Sequence, residues 1–392
     1  MKSQFVLPVS LLMVAVSVAK EPVGRPWKKQ VITTDFLTEG LSAGDLDGDG
    51  VKDLVAGAFW FKGPDFKEAK AYRPGKALPP TVYQEDSFLS WVEDFNGDGK
   101  NDILMASRPG KEITLYLNPG KQGEWSAHQV LAEAATESPV WTDLDGDGKK
   151  ELVCMQGGKF GYARADWKEV TKPWTFVAIS EKRTDSPYVH GLGVGDLNGD
   201  KRPDIVEKDG WFEQPAKKDA AWIWHKEPFA GPGGAQMLVF DADGDGDNDM
   251  VTSLNGHGYG LAWYESKPAD GKIGFVRHEI LPDNPAKKGE GGLQFSQLHA
   301  LENGDFDGDG RLDFITGKRY FAHNGKDPGE MEDAVPAVIF YNRKDGAGMR
   351  WQAQVLDEDS GVGCQALVVD LDGDGKLDYA LGNKKGVQIF SR

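Results

Sequence analysis

The sequence predicts an all-β fold, a seven-bladed β-propeller, and three observations predict it. One acidic nonapeptide recurs seven times along the 392 residues. Stretches rich in aromatic and β-branched residues, bounded by turn signals, come after the copies and read as strands. The last repeat lacks a fourth strand, and the beginning of the chain supplies one. A fixed internal period makes the array, not the overall length, the guide to domain number. Residues 20–392 are therefore expected to form a single domain behind a leader at 1–19.

The copies are DLDGDGVKD from Asp45, DFNGDGKND from Asp94, DLDGDGKKE from Asp143, DLNGDKRPD from Asp196, DADGDGDND from Asp241, DFDGDGRLD from Asp305 and DLDGDGKLD from Asp370. Successive starts lie 49, 49, 53, 45, 64 and 65 residues apart. Oxygen side chains stand at positions 1, 3, 5 and 9. They are Asp45, Asp47, Asp49 and Asp53 in the first loop, then Asp94, Asn96, Asp98 and Asp102 in the second. The third and fourth carry Asp143, Asp145, Asp147 and Glu151, and Asp196, Asn198, Asp200 and Asp204. The last three carry Asp241, Asp243, Asp245 and Asp249, Asp305, Asp307, Asp309 and Asp313, and Asp370, Asp372, Asp374 and Asp378. That alternation wraps hard oxygen ligands around one cation, and Gly at positions 4 and 6 permits the sharp turn.

An EF-hand would need a bidentate Glu at position 12 and flanking helices. Position 12 holds Ala56, Met105, Cys154, Glu207, Thr252, Thr316 and Leu381, and the residues after each loop are strand-like. Asp/Gly turns without metal would crowd 26 carboxylates into the ligand positions of seven small loops, which is repulsive. Seven Ca²⁺ ions, loaded after loss of Lys2 with the leader, would bring the net charge from -18 to about -4.

This pattern resembles the FG-GAP/VCBS repeats of integrin-α-type β-propellers over essentially the whole mature chain. The resemblance implies that the loops are structural calcium sites, up to seven of them, and not catalytic ones. Lys201 departs from Gly at position 6 of the fourth loop, and Glu151 from Asp at position 9 of the third. Those two loops are expected to bind more weakly.

Each repeat reads as four strands. The first ends at the loop and the second begins after it. The third carries aromatics, as in Phe59-Trp60-Phe61, Leu115-Tyr116-Leu117, Trp211-Phe212, Trp263-Tyr264, Ile339-Phe340-Tyr341 and Ile389-Phe390. The fourth opens with an aromatic: Trp125, Trp174, Trp222, Phe275 or Trp351. Aromatics at equivalent strand positions are packing residues between blades. The seventh repeat stops at Arg392 after its third strand. Residues 27–34 are expected to pair with it, close the ring and remove the open repeat end.

Composition narrows the partners. A net charge of -17, from 45 basic and 62 acidic residues, excludes nucleic acid as a bulk partner. Met1 to Ala19 reads as a secretory signal peptide, with Lys2, an apolar run from Phe5 to Val18, and small Ser17 and Ala19 before the cleavage point. No later stretch is long and apolar enough to span a bilayer. The mature protein is expected to be secreted or periplasmic. Two cysteines, Cys154 and Cys364, make no disulfide framework.

A ligand is expected on the face opposite the acidic loops. Both long repeats insert there, at 282–297 and 322–337, and long loops on a rigid scaffold commonly carry function. Six residues before each loop stand Glu39, Phe88, Glu137, His190, Ala235, His299 and Cys364. At about 3.3 Å per residue these sit roughly 20 Å from the cation sites, around the mouth of the central channel. His190, His299, Glu39 and Glu137 could there hold one additional divalent metal or perform acid–base chemistry; the plain alternative is hydrogen-bonded polar residues lining a channel. Basic side chains cluster in the same connections: Arg108, Lys111, Lys159, Lys208, His257, Lys318, Arg319, Lys384 and Lys385, with His323 beyond them. Lys318, Arg319 and His323 are expected at the rim, where with Arg108, His257 and Lys384 they would attract an anionic ligand.

Two classes of function remain. The first is a calcium-stabilised binding module for a carbohydrate or other acidic small molecule or polymer, a protein partner also being compatible with the fold. The second is a metal-assisted carbohydrate lyase or dehydratase. Weaker, repeat-level similarity to polysaccharide lyases and aldos-2-ulose dehydratase-like proteins implies β-elimination or dehydration for it. The sequence has no Ser-His-Asp elbow, phosphate-binding loop or CxxC motif.

Overall fold

The computed structural model describes residues 26–392 except 122, 219, 270, 271, 332 and 347; the leader at 1–19 lies outside the described residues. Antiparallel sheet dominates, and a 3₁₀ turn at Glu290–Gly292 is the one helical element among the described residues. None of the described helices is long and apolar enough to cross a membrane.

The acidic loops set the register. In every repeat the residue just before the loop faces the ninth loop residue across the first antiparallel pair. The pairs are Gly44–Asp53, Glu93–Asp102, Thr142–Glu151, Gly195–Asp204, Phe240–Asp249, Gly304–Asp313 and Val369–Asp378. A one-residue slip would turn every side chain to the wrong face, so the shared loop fixes the height of each inner strand.

The strands form five four-stranded sheets and one seven-stranded sheet. The large sheet exists because Ser126–Thr142 is continuous over 17 residues. It pairs with Lys111–Leu117 along its first part and with Glu151–Gln156 along its second. Fourth strand of one repeat and first strand of the next were expected as separate elements. No Gly or Pro interrupts the chain from Ser126 to Ser138, so no turn residue forces a break, and the strand bends instead at Thr136, where φ is 90°.

At the other end of the array, Lys28–Thr33 pairs antiparallel with Gly386–Ser391, outermost in the sheet of the last repeat. Trp27 packs edge-on against Phe306, and Lys29 meets Asp357 at 2.8 Å.

The repeated aromatics are packing residues. Trp60, Trp174, Trp211, Trp263 and Trp351 are buried. Phe95, Trp141, Trp167 and Trp174 form one continuous aromatic cluster. Polar braces tie several repeats to the loop of the one before. Asn118 Nδ2 donates to Leu46 O at 2.8 Å, Gln214 Nε2 to Leu144 O at 2.7 Å and Asn342 Nδ2 to Ala242 O at 2.6 Å. Both cysteines are buried and free.

Candidate functional site

In the acidic loops, position 1 organises the turn. Asp45 Oδ1 accepts the amides of Gly48 and Asp49, and Oδ2 accepts that of Gly50; Asp94 and Asp305 repeat all three bonds. Position 9 anchors the loop to the sheet: Asp53 accepts from Leu46 N and Gly63 N, both at 2.9 Å, and Asp102, Asp204, Asp249 and Asp313 do the same. Burial pushes the carboxyls of Asp204 and Asp313 up to about 7.

The donor set fits a hard cation. Asp45, Asp47 and Asp53 bring one oxygen each within 4.8 Å of one another, as do Asp143, Asp145 and Glu151, and Asp241, Asp243 and Asp249. Asp47 Oδ1 and Asp307 Oδ1, at position 3, are buried with no hydrogen-bond partner. Basic side chains lean on the remaining oxygens: Lys62 on Asp47 and Asp49, Arg164 on Asp145, Arg343 on Asp307 and Asp309.

At the opposite ends of the inner strands, all seven residues at the common offset are buried: Glu39, Phe88, Glu137, His190, Ala235, His299 and Cys364. His190 and His299 lie 5.3 Å apart by ring centroid. His257, which reaches in from a neighbouring connection, lies 4.5 Å from His190 and 4.7 Å from His299. The three imidazoles offer nitrogens within 4.8 Å of one another.

The backbone is strained where it aims these groups. Thr136, just before Glu137, and Gln297, two residues before His299, have φ of 90° and 64°, conformations that cost a non-glycine residue about 1–3 kcal/mol. Thr136 is held by its amide on Pro187 O and its hydroxyl on Val189 O. Gln297 donates from its side chain to His257 O at 2.9 Å and accepts Arg319 N on its carbonyl at 2.8 Å.

Partners set the tautomers. His299 Nδ1 lies 3.3 Å from Gln297 O, so Nδ1 carries the proton and Nε2 presents its lone pair to the cluster. His190 Nε2 and His299 Nε2 are buried without a hydrogen-bond partner; Glu137 Oε2 stands 3.4 and 3.9 Å from them. His323 Nδ1 bonds to one oxygen of Asp327 at 2.6 Å, as carboxylates do when they orient metal-binding imidazoles; His257 Nδ1 lies 3.0 Å from the same oxygen without hydrogen-bonding to it. Burial lowers the His257 pKa to about 4 and holds that of His299 well below its ordinary value. Both rings are therefore neutral at pH 7, the form a metal requires.

The basic residues correct the expectation of an open rim. Arg319 is 1% exposed and lies within the cluster. Its Nη1 donates to Glu137 Oε2 at 3.1 Å, its Nε to Glu39 Oε2 at 3.3 Å, and its guanidinium covers Phe88. Burial alone would raise the Glu137 pKa; the Arg319 charge outweighs it and holds the carboxyl well below the usual range. Glu39 and Glu137 thus share one internal cation, Arg319. Lys318 is fully buried and donates to Gly329 O; Lys384 is buried and donates to Phe321 O at 2.8 Å. Lys318 thereby pins the 322–337 insertion and Lys384 the residue just before it, because a buried charge needs a partner. Arg108, half-exposed, pairs with Glu85 and Tyr188 at the outer edge, and His323 remains half-exposed above His257, stacked at 4.3 Å.

Sequence reasoning missed Asp327, Gln297 and the inward turn of His257. Asp327 lies in an insertion outside the repeat, so no offset could find it. Arg319 carried a usable signal: like Arg108 and Lys384 it lies fourteen residues after the first Asp of its loop, at the end of an inner strand pair.

A repeated Asp/Gly loop between antiparallel strands, with sheets arrayed around a common polar cluster, is consistent with a β-propeller. The chain carries FG-GAP-like repeats, and that family is matched over residues 94–154 and 305–381, which contain four of the seven loops. No curated protein sequence matches significantly. Among solved structures, the chain is similar to an Agrocybe aegerita lectin that recognises non-reducing terminal N-acetylglucosamine, at 16% identity, 85% and 81% coverage of the two chains and a TM-score of 0.46. The rhamnogalacturonan lyase YesW is similar at 15% identity, 94% and 73% coverage and a TM-score of 0.46. The V. cholerae biofilm matrix protein Bap1 is similar at 13% identity, 90% and 76% coverage and a TM-score of 0.36.

Proposed function

We propose that the protein binds an anionic carbohydrate through a divalent metal held by His190, His257 and His299. The convergence of three imidazoles, each with one buried nitrogen lacking a hydrogen bond, carries this reading. An all-imidazole set suits Zn²⁺, Fe²⁺ or another transition metal, not Ca²⁺ or Mg²⁺. The metal would supply the positive charge that the ligand's carboxylate requires. In a chain of net charge -17, Arg319, Lys318 and Lys384 are already committed to internal partners, so little else there attracts an anion. Tyr83, whose ring lies 6.1 Å from that of His323, and exposed Tyr188 offer ring faces and polar tips for a sugar beside His323.

The same proposal takes the seven Asp/Gly loops as structural calcium sites and the molecule as exported after cleavage behind Ala19. It counts the seven-stranded sheet as two blades sharing Ser126–Thr142, which gives a seven-bladed ring with Lys28–Thr33 completing the last blade.

A second reading, metal-assisted elimination on a uronic acid, is favoured by His323, which is half-exposed and fixed at Nδ1 by Asp327. Its Nε2 would take the proton next to the carboxylate while the neighbouring C–O bond breaks and the departing oxygen gains a proton from water. Release of an unsaturated sugar would separate lyase from binding module.

The test is a metal titration of calcium-saturated protein. One further equivalent of Zn²⁺ should bind to the wild type and none to His299→Ala, with calcium content unchanged. Wild-type protein that takes up no further equivalent would overturn the reading.

A further inference from the structure

A hollow of about 620 Å³ lies beside the connection that carries His257, which does not itself line it. Its wall is formed in part by Asn255, Gly258 and Tyr259, the connection that carries His257, and by Pro328, next to Asp327. Asn255 Oδ1 accepts the His257 amide at 3.1 Å. The hollow and the histidine cluster are therefore two sides of one loop. Both long insertions contribute, through Asp283 and Pro285 from one and Pro328 from the other, so the added chain builds walls here.

We infer that this hollow holds the continuation of a carbohydrate chain whose anionic residue sits at the histidine centre. The ligand is accordingly an oligosaccharide, not a monosaccharide. The inference rests on the preceding reading of the centre. Its support is chemical. Tyr259 and Phe275, both half-exposed, give the hollow its aromatic faces, and buried Phe229 backs Phe275 edge to face at 5.1 Å. Pro228, Pro232, Pro285 and Pro328 stiffen its sides, and apolar ring faces of this kind pack against the C–H faces of sugars. Arg277 lines the same hollow and is only loosely paired, 3.8 Å from Glu279 and 3.9 Å from Asp283. It can turn to a carboxylate of the chain and form a bidentate pair. Rigid walls fixed before binding reduce the ordering cost of association.

Gly231 provides a clean obstruction. It lines the hollow, and a Cβ built on it meets no atom within 4 Å, so the backbone there accepts a side chain and Gly231→Trp is the variant chosen to fill the hollow. The probes are galacturonate and oligogalacturonates of two to four residues, measured by calorimetry on zinc-loaded protein. Wild-type affinity should rise at least tenfold from one residue to three. In Gly231→Trp that gain should vanish, and in Arg277→Ala it should shrink, while galacturonate affinity, zinc stoichiometry and melting temperature stay unchanged. A gain with length that persists in both variants overturns the hollow as a subsite and leaves the centre standing. Binding of the trimer but not of galacturonate, abolished by Gly231→Trp, supports the hollow and removes the centre's role in recognition. Absence of binding at every length overturns both.

Discussion

At position 6 of the fourth acidic loop, Lys201 holds a backbone φ of 71°, where the other six loops use glycine at 82° to 98°. Its amide still donates to Asp196 Oδ2, at 2.8 Å, so the turn is retained at a conformational cost. A side chain in this region costs about 1–2 kcal/mol, and glycine returns part of the gain through its freer unfolded state. Lys201→Gly should therefore stabilise the protein by about 0.5–1 kcal/mol in urea denaturation; a loss of stability would mean that the side chain does more than tolerate the turn. Residues at this scale were legible where the repeat fixed them. Counting back from each loop placed Glu39, Glu137, His190 and His299 in one cluster, since equal offsets on strands of shared register reach equal heights. Charge was a poorer guide. Lys318, Arg319 and Lys384 read as cations open to an anionic ligand, yet all three are buried, and each turns toward a carboxylate or carbonyl.

The strand Lys28–Thr33 illustrates what an element contributes beyond its own length. It covers the otherwise open edge of Gly386–Ser391, while Ile32 and Trp27 pack against two different apolar clusters. Removing residues 20–35 exposes that edge, takes away both side chains and bares the two clusters they cover; full burial of one such side chain is worth about 1.5–3 kcal/mol. The truncated protein should lose at least about 3 kcal/mol of unfolding free energy, measured by urea titration, and should self-associate through the bare edge. Stability equal to the full chain would remove this strand from the account. The pairing was readable because the last repeat visibly lacked a strand. The fusion of two strands into Ser126–Thr142 was not: alternation shows where strands run, and only a turn residue shows where one stops.

Across the molecule, the acidic loops and the inter-repeat braces form one system. Asn101 and Asn118 hold carbonyls of the first loop, and Asn248 holds one of the fourth, each from the next repeat along the chain. Straightening a loop therefore also loosens its neighbour. Binding to the native state alone stabilises by about 2.7 kcal/mol per site at a hundredfold excess over Kd, so EGTA should lower the melting temperature strongly and Ca²⁺ should restore it. An identical melting curve in EGTA would defeat the calcium assignment.

The proposed centre draws on three connections at once: the approach to one inner strand for His190, the turn of another repeat for His257, and a third inner strand for His299. Anomalous scattering at the zinc edge, from crystals of calcium-saturated protein exposed to Zn²⁺, tests it most directly. The account predicts one peak about 2.0–2.1 Å from a nitrogen of each of His190, His257 and His299. Density without a metal peak among the three rings, or zinc held elsewhere while the rings bond to water, would contradict it.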